Sequence, residues 1–437
     1  MIGNLKIHNV SATQITFIIE IFLLIIIVNS QSSISKKNYT RNFSIDIWKD
    51  ISYKTNSADV YVHPIHRTHF VGFLEKLKID YYVKIGDLGK VINDEEKELG
   101  KRRIFKSGDH PSFMTTNEYH NLDEIESYMD SLGNNFDTVK TIIIGTSYEK
   151  RPIRGVIITE NNDKTKKKVL INGCIHSREW LSCATMIYMM NELTSNYKKY
   201  EQLLSTTEVH IIPVINTDGY VYTWDYDRLW RKTRSGPYNG CYGVDPNRNF
   251  DFKWRFSGYS TDPCDETYAG ESPFSEPESK ALGDYIKNAF DNGQPFSVYF
   301  DIHTYSENFI YPYGYDHVYP LNVNNLRDIS NKATKAIYSI HQSNFNFGSI
   351  CDIVYPASGS TIDYATSIGG IKYAFAMELR PNEYVSNGFI LPSSQIIDGA
   401  SEAWEGIYVV FNKSHVLCFN CKFVYFLILV YGYNFVY

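Results

Sequence analysis

Apolar stretches alternate with amphipathic ones along most of the chain, and short turn-forming segments separate them. From Tyr119 onward this pattern predicts strands and helices in turn, which is typical of an α/β layer architecture with a largely buried sheet. The predicted strands are Lys168–Ile175, Glu208–Ile215, Phe296–Ile302 and Tyr373–Leu379. The predicted helices run from Glu179 to about Ser195, from the cap Ser275-Glu276-Pro277 to Phe290, and over Gln395–Phe411.

A smaller α/β pattern precedes this region, between Ala58 and Glu98. It consists of a strand over Asp59–His63, a helix over His69–Leu77, a second strand over Ile79–Ile85 and then an acidic helix. The basic cluster Lys101–Arg103 follows. It is either a solvated helix end or a cleavage site for a trypsin-like protease. We favour cleavage because the cluster separates two differently patterned segments.

The two ends of the chain carry patterns of a different kind. Lys6 and His8 precede an apolar stretch, Ile15–Val28, which predicts a secretory signal peptide over residues 1–30. Glu20 interrupts that stretch, so an uncleaved membrane anchor is the alternative. We therefore expect a pro-segment over 31–103, a main domain over 104–413, an apolar tail over 414–437 whose role stays open, and an extracellular protein.

Three chemically reactive side chains lie at the ends of predicted strands. His176, His303 and Glu378 each end one, and ligand sites of open α/β sheets collect at the carboxyl edge. Glu179 lies three residues after His176, so both can reach one point where a loop enters a helix. Two imidazoles and one carboxylate are the ligand set of a catalytic zinc site with one open position, so we expect one Zn²⁺ per chain.

Two acidic residues could orient the imidazoles of that site. Asp245 and Asp301 are candidate hydrogen-bond acceptors for them, although each could equally be a structural acid.

A second group of residues is suited to binding a carboxylate. Arg231 and Arg248 supply guanidinium groups that can each bind two carboxylate oxygens, and Asn247 supplies an amide donor. The alternative is that these residues take part in a surface ion pair. Glu378 ends an apolar strand, where burial of a carboxylate is costly without a partner or a task. Beside a zinc site it can transfer a proton, and a salt bridge with Arg380 is the alternative.

Composition narrows the class of protein. The chain has 437 residues and a net charge of −6, which argues against nucleic acid as a partner. Seven cysteines are too few for a scaffold built on disulfides. Cys241 and Cys264 flank the Asp-Pro-Asn-Arg turn at 245–248 and would staple its loop if oxidised. The pairing of the other cysteines stays open: Cys174, Cys183, Cys351, Cys418 and Cys421.

Over roughly residues 47–412, the chain resembles the secreted zinc metallocarboxypeptidases of the pancreatic A/B type. The motifs that carry the resemblance come in order: Gly173-Cys-Ile-His-Ser-Arg-Glu-Trp180, Asn216-Thr-Asp-Gly-Tyr220, Arg228-Leu-Trp-Arg-Lys-Thr-Arg234, Asp245-Pro-Asn-Arg-Asn249, Glu266-Thr-Tyr-Ala-Gly270, Tyr311-Pro-Tyr-Gly314, Ser358-Gly-Ser-Thr-Ile-Asp363 and Glu378-Leu-Arg380. The resemblance implies a mixed, twisted sheet of eight strands flanked by helices, with a small N-terminal α/β pro-segment.

The same resemblance implies a role for each site residue. His176, Glu179 and His303 match zinc ligands. Glu378 matches the general base and acid that activates the zinc-bound water, and Arg231 matches the residue that stabilises the oxyanion. The terminal carboxylate of the substrate would be held by Asn247, Arg248 and Tyr355, and the neighbouring subsite lined by Arg178 and Tyr305.

Ile362 matches the floor of the pocket for the C-terminal side chain, where the B type carries an acid. The resemblance thus implies an exopeptidase, made as a precursor, that removes aromatic or aliphatic C-terminal residues from peptides and proteins and acts as a monomer. The alternatives are a B-type enzyme that removes Lys or Arg, a non-catalytic peptide-binding relative, and a membrane-tethered enzyme.

Two features depart from the family pattern. The pro-segment looks truncated, because only the second half of the activation domain is recognisable, over residues 47–98. Cys174 stands where the family usually has glycine, next to the metal loop, where it either strains the site or is harmless.

Overall fold

The computed structural model describes residues 3–8, 45–49, 57–105, 114–160, 163, 165–382, 384–385 and 387–412. The apolar stretch of the predicted leader and the predicted tail over 414–437 lie outside the described residues. Within the described part of the chain, no helix combines the length and the apolar character that a membrane crossing needs.

The N-terminal part forms a four-stranded sheet with two helices. Its strands are β1 (Gly3–His8), β2 (Ile45–Lys49), β3 (Ser57–Val62) and β4 (Tyr81–Ile85), in the order β2-β3-β1-β4, with α1 over Pro64–Lys76 and α2 over Leu88–Phe105. Alternate β3 residues, Ala58, Val60 and Val62, pack with Phe70 and Leu74 of α1.

Strand β1 takes an interior position in this sheet, between β3 and β4. Its six residues belong to the segment for which the sequence predicts a leader. The boundary between leader and pro-segment therefore stays a prediction.

The larger part contains an eight-stranded sheet in the order β11-β10-β12-β9-β7-β8-β6-β5. Its strands are β5 (Val139–Thr146), β6 (Pro152–Ile158), β7 (Lys167–Gly173), β8 (Thr207–Ile212), β9 (Val298–Thr304), β10 (Asn308–Tyr311), β11 (Asn346–Ser349) and β12 (Tyr373–Leu379). The sheet is mixed, since β12, β9, β7 and β8 run parallel to one another while the pairs β5–β6, β6–β8 and β10–β12 are antiparallel. The edge strand β11 pairs parallel with β10. The predicted α/β fold is confirmed.

Helices cover both faces of the large sheet. They are α3 (Leu122–Asn135), α4 (Trp180–Ser195), α5 (Tyr197–Thr206), α6 (Thr217–Asp225), α7 (Pro277–Asp291), α8 (Val323–His341), α9 (Ile350–Ile353), α10 (Thr361–Ser367) and α11 over 396–412. One apolar cluster joins α3, α4, α8 and α11 to the sheet, and a second joins α7 and α10 to it. The sheet is thus buried on both sides, which explains why β9 is buried along its whole length.

The order of the strands brings the predicted site residues together. Strands β7, β9 and β12 are parallel neighbours, so their carboxyl ends lie at one edge, and Glu378 pairs directly with His303. Two of the differences between the predicted and the observed element bounds concern the site residues. Strand β7 ends at Gly173, so His176 lies in the loop before α4, and β9 extends to Thr304, so His303 lies within the strand.

Candidate active site and metal centre

Three predicted ligands converge on one point. Nδ1 of His176 lies 2.8 Å from Oε1 of Glu179, and Nδ1 of His303 lies 3.1 Å from Oε2 of the same carboxylate. The two Nδ1 atoms are 3.2 Å apart, and all three side chains are buried. Ligand atoms about 2.0–2.1 Å from a tetrahedral zinc lie roughly 3.3 Å from one another, so this donor set fits the ion.

The outer nitrogens of both imidazoles meet buried carboxylates. Nε2 of His176 lies 3.1 Å from Asp245, and Nε2 of His303 lies 2.9 Å from Asp301. Such contacts fix the orientation of a ligand ring and leave Nδ1 as the metal-facing atom. Burial alone would raise the pKa of Asp245, but the charges of Arg231 and His176 hold it well below its usual range.

Glu378 lies beside this cluster with unused hydrogen-bonding capacity. Its Oε2 is buried and has no hydrogen-bond partner among the described residues. Burial raises the pKa of Glu378 to about 8, although the nearby His303 opposes this shift. The alternative ion pair with Arg380 does not form, because the Arg380 guanidinium bonds instead to Glu402 and reaches Asp398 at 3.5 Å.

The predicted carboxylate-binding residues lie near the cluster, and the buried guanidinium groups do not form a surface ion pair. Arg231 donates to Asp245 at 2.8 Å, and its buried Nε has no partner among the described residues. Arg248 donates from Nε to the carbonyl oxygen of Gly258 at 2.7 Å, and its Nη2 is likewise buried and unpartnered.

The side-chain amide of Asn247 has a defined orientation. Its Oδ1 accepts a hydrogen bond from the Thr361 backbone N–H at 2.9 Å, which turns Nδ2 toward His303 at 3.3 Å. The Arg248 guanidinium lies 5.7 Å from the ring centre of Tyr355, and both residues line the same cavity. The guanidinium groups of Arg231 and Arg248 and the amide of Asn247 therefore border one space.

That cavity also contains the ligand residues and Glu378, and its other end is apolar. The apolar lining residues are Ile310, Ile350, Ile353, Val354, Ala357 and Ala376. Ala376 lies two residues before Glu378 on β12, so both side chains emerge on the same face. Among the residues that the structure places around the cavity, the acidic ones are Glu179 and Glu378, at the metal end.

Ile362 lies behind the apolar wall and does not itself line the cavity. It packs in one cluster with Ile310, Ile350 and Ala376. The adjacent Asp363 is buried, and its carboxylate accepts hydrogen bonds from the backbone N–H groups of Gly314 and Tyr315 at 3.0 and 3.1 Å. Its oxygens are therefore engaged by the backbone.

The pro-segment covers the predicted neighbouring subsite. Asp46 forms an ion pair with Arg178 at 2.7 Å, and the hydroxyl of Tyr305 donates to Asp59 at 2.8 Å. Trp48 of β2 lines the cavity and contacts Phe389, with ring centres 5.2 Å apart. Residues of the N-terminal sheet therefore form part of the cavity lining.

Comparison with known proteins identifies the family. A family model described as zinc carboxypeptidase matches residues 125–406, and one described as carboxypeptidase activation peptide matches residues 30–95. The chain belongs to the zinc carboxypeptidase family. The chain is therefore a metallocarboxypeptidase, and strands β2, β3 and β4 of the N-terminal sheet lie within the residues that match the activation peptide.

Two curated relatives and one solved structure show the extent of the similarity. Carboxypeptidase A4 of Mus musculus is 36% identical over 375 residues, covering 84% of this chain and 87% of its own length. Carboxypeptidase B of Astacus astacus is 38% identical over 302 residues, covering 68% and 98%. The crystal structure of carboxypeptidase A from Helicoverpa armigera superposes with a TM-score of 0.81 at 27% identity, covering 94% of this chain and 97% of that one.

The structure also answers questions that the sequence of this carboxypeptidase left open. Two disulfides are present in the described part of the chain: Cys241–Cys264 and Cys174–Cys183. Cys351 is buried as a thiol. The nine-residue separation of Cys174 and Cys183 is a sequence feature that could have indicated the second bridge, but it was not used. The role of Asp46 carried no comparable signal, because its partner Arg178 lies 132 residues away.

Proposed function

We propose that this carboxypeptidase removes aromatic or aliphatic residues from the C-termini of peptides and proteins, with one zinc ion held by His176, Glu179 and His303. The observation that carries this proposal is the position of Glu378. A buried, unpartnered carboxylate oxygen lies beside the three converged ligands, at the metal end of a cavity whose other end is apolar.

Glu378 acts in this proposal as general base and then as general acid. Zinc in such a site supplies Lewis-acid chemistry, polarising a carbonyl and lowering the pKa of a water molecule. The Oε2 atom of Glu378 takes a proton from the attacking water and passes it to the leaving amine. Burial, which raises the pKa of this carboxyl, favours retention of the proton between the two steps.

Arg231 stabilises the negative charge that develops on the scissile carbonyl oxygen. Its guanidinium is buried and held by Asp245, so its orientation is set before the substrate arrives. The unpartnered Nε supplies a donor whose strength is greatest where water is excluded.

Asn247, Arg248 and Tyr355 bind the terminal carboxylate of the substrate. Nη2 of Arg248 is a donor with no partner among the described residues, and the Asn247 amide, which also contacts His303, borders the same cavity. A charge-assisted hydrogen bond from Arg248 distinguishes a chain end from an internal residue. Arg178 and Tyr305 bind the residue that precedes the scissile bond once the pro-segment has left.

The apolar end of the cavity determines which C-terminal side chain is accepted. Ile362 supports this wall from behind, and the backbone hydrogen bonds of Asp363 leave it poorly placed to compensate a substrate cation. Desolvating a Lys or Arg side chain against such a wall is costly, whereas an aromatic or aliphatic side chain gains from burial. This argues against the B-type alternative.

The enzyme is made as a secreted precursor in this proposal, and a trypsin-like protease activates it near Lys101–Arg103. These residues belong to the last turn of α2, directly before the segment that leads into the main domain. Two disulfides in the described chain are typical of an oxidising compartment, which supports secretion.

Hydrolysis of matched peptides by trypsin-treated protein tests this function. Peptides that differ only in a C-terminal Phe, Leu, Lys or Glu are compared, with and without a zinc chelator. We expect chelator-sensitive release of Phe and Leu. Preferential release of Lys would show that the apolar end is not the specificity pocket. Zinc binding without any hydrolysis would favour the peptide-binding relative.

The variant Ile362→Asp tests the pocket separately from the chemistry. A carboxylate behind the wall should lower kcat/KM for C-terminal Phe at least about tenfold, because it makes the apolar end polar. Gain of Lys release would identify this wall as the determinant. An unchanged preference in a folded variant would contradict the assignment of Ile362.

A further inference from the structure

A disulfide encloses two of the three metal ligands in a short loop. Cys174 directly follows β7, and Cys183 lies in the first turn of α4, nine residues later in sequence. His176 and Glu179 lie between them. The Cα atoms of the two cysteines are 5.5 Å apart, which is an ordinary separation for a bridge.

The backbone at Cys174 favours glycine, not cysteine. Its φ of +48° lies in the left-handed region, where a Cβ atom is unfavourable. A cysteine at this position therefore incurs a backbone cost that glycine would avoid. The disulfide bond to Cys183 stabilises the fold and offsets this backbone cost.

The same junction is connected to the third ligand. The Cys174 backbone N–H donates to the hydroxyl of Ser182 at 2.7 Å, and that hydroxyl donates to the carbonyl oxygen of Ile302 at 2.6 Å. Ile302 immediately precedes His303. The end of β7, the start of α4 and the end of β9 are thus joined at the base of the metal site.

We propose that the Cys174–Cys183 disulfide is a positioning element of the zinc site, which keeps His176 and Glu179 at ligand distance and slows the loss of the metal. The inference depends on the zinc site proposed above. Without the bridge, the enclosed turn has more conformations available, and each ligand must be reordered when the ion binds. Both cysteines are fully buried, so the bridge acts as a permanent constraint and not as a redox switch.

The rate of zinc release measures this role directly. Full-length protein loaded with zinc is mixed with an excess of a chromophoric chelator, and the transfer is followed by absorbance. The variants are Cys174→Gly, Cys183→Ala and the double substitution. We expect each to release zinc about tenfold faster than the natural protein, the effect typical of losing a group that orients metal ligands.

Cys174→Gly distinguishes the effect of the disulfide from the effect of backbone strain. It removes the disulfide and also relieves the unfavourable positive φ at this position. It is also the variant that should fold most readily. Cys351→Ala is the matched control, since it removes a buried sulfur that closes no loop, and its release rate should be that of the natural protein.

Four outcomes would overturn the inference. The first is the detection of free thiols at both positions in non-reducing peptide maps, and the second is a zinc release rate in the folded variants equal to that of the natural protein. The third is faster zinc release from Cys183→Ala but not from Cys174→Gly. The fourth is a lower Tm of the metal-free variants with an unchanged zinc release rate. If the natural protein bound no zinc, the metal site itself would fail, and this inference with it.

Discussion

The two ends of the cavity follow one strand, β12, and they bury side chains of opposite character. Glu378 at one end is a carboxylate with an unused hydrogen-bonding atom, and Ala376, two residues earlier, belongs to a wall of aliphatic side chains. Burial of the polar end costs free energy, because several of its hydrogen-bonding groups have no partner in the part of the chain that the structure describes. The apolar end is favourable on its own. We therefore assign the chemical step to the polar end of the cavity and substrate selectivity to the apolar end.

The largest effect should come from the polar end. Glu378→Gln keeps the shape of the side chain but cannot accept the proton, so kcat should fall by about 10²- to 10⁴-fold while zinc content stays unchanged. Steady-state kinetics of the trypsin-treated protein, with metal analysis, measure this. A kcat within tenfold of the natural enzyme would remove Glu378 from the mechanism.

Substitution of Arg248 should have a smaller effect, because in the proposed mechanism this residue binds the substrate and does not react. Arg248→Gln loses a charge-assisted hydrogen bond of about 1.5–3 kcal/mol, so kcat/KM should fall about 10- to 150-fold. Arg154→Gln, which removes a surface guanidinium paired with Asp130, is the control. Equal effects of the two substitutions would mean that Arg248 has no particular role in substrate binding.

Filling the apolar end should change selectivity with little effect on the chemistry. Ala376→Val adds two methyl groups to the wall, so kcat/KM for peptides ending in Phe should fall about tenfold, since one methylene in such a pocket is worth roughly 10- to 200-fold. A peptide ending in Ala is the matched comparison and should be nearly unaffected. A parallel loss for both peptides would place Ala376 outside the specificity pocket.

The smallest effect concerns a buried carboxylate remote from the cavity. Burial raises the pKa of Glu278 from 4.5 to about 8, and its Oε2 has no partner among the described residues. Between these two pH values the unfolded chain releases a proton that the folded one keeps, so stability falls as the pH rises. Glu278→Gln should therefore raise Tm at pH 8 by about 2–4 °C and leave it unchanged at pH 5. Equal shifts at both pH values would contradict this titration.

Local patterns in the sequence were sufficient to locate the strands that carry the proposed site. The bounds of β12 were predicted to the residue, and His303 and Glu378 were assigned to one sheet edge because long apolar runs end there. Strands β10 and β11 were not individually predicted, because runs of only four residues carry too little periodicity.

Contacts between distant parts of the chain were outside the reach of those patterns. The ion pair of Asp46 with Arg178 and the packing of Trp48 at the cavity join segments that no local spacing relates. Residues 1–30 were assigned to a leader because Lys6 and His8 precede an apolar stretch. The pairing of β1 with β3, about fifty residues later, leaves no periodic trace in the sequence.

The position of the pro-segment has a consequence for the kinetics of activation. Four pro-segment residues that contact the main domain all precede Lys101 in sequence. They are Asp46, Asp59, Trp48 and Glu95, and the last of these forms an ion pair with Arg228 at 2.7 Å. A cut at the basic cluster breaks none of these contacts, so it converts an intramolecular association into a bimolecular one. The onset of activity would then follow mass action: dilution favours it, and an excess of the released fragment reverses it.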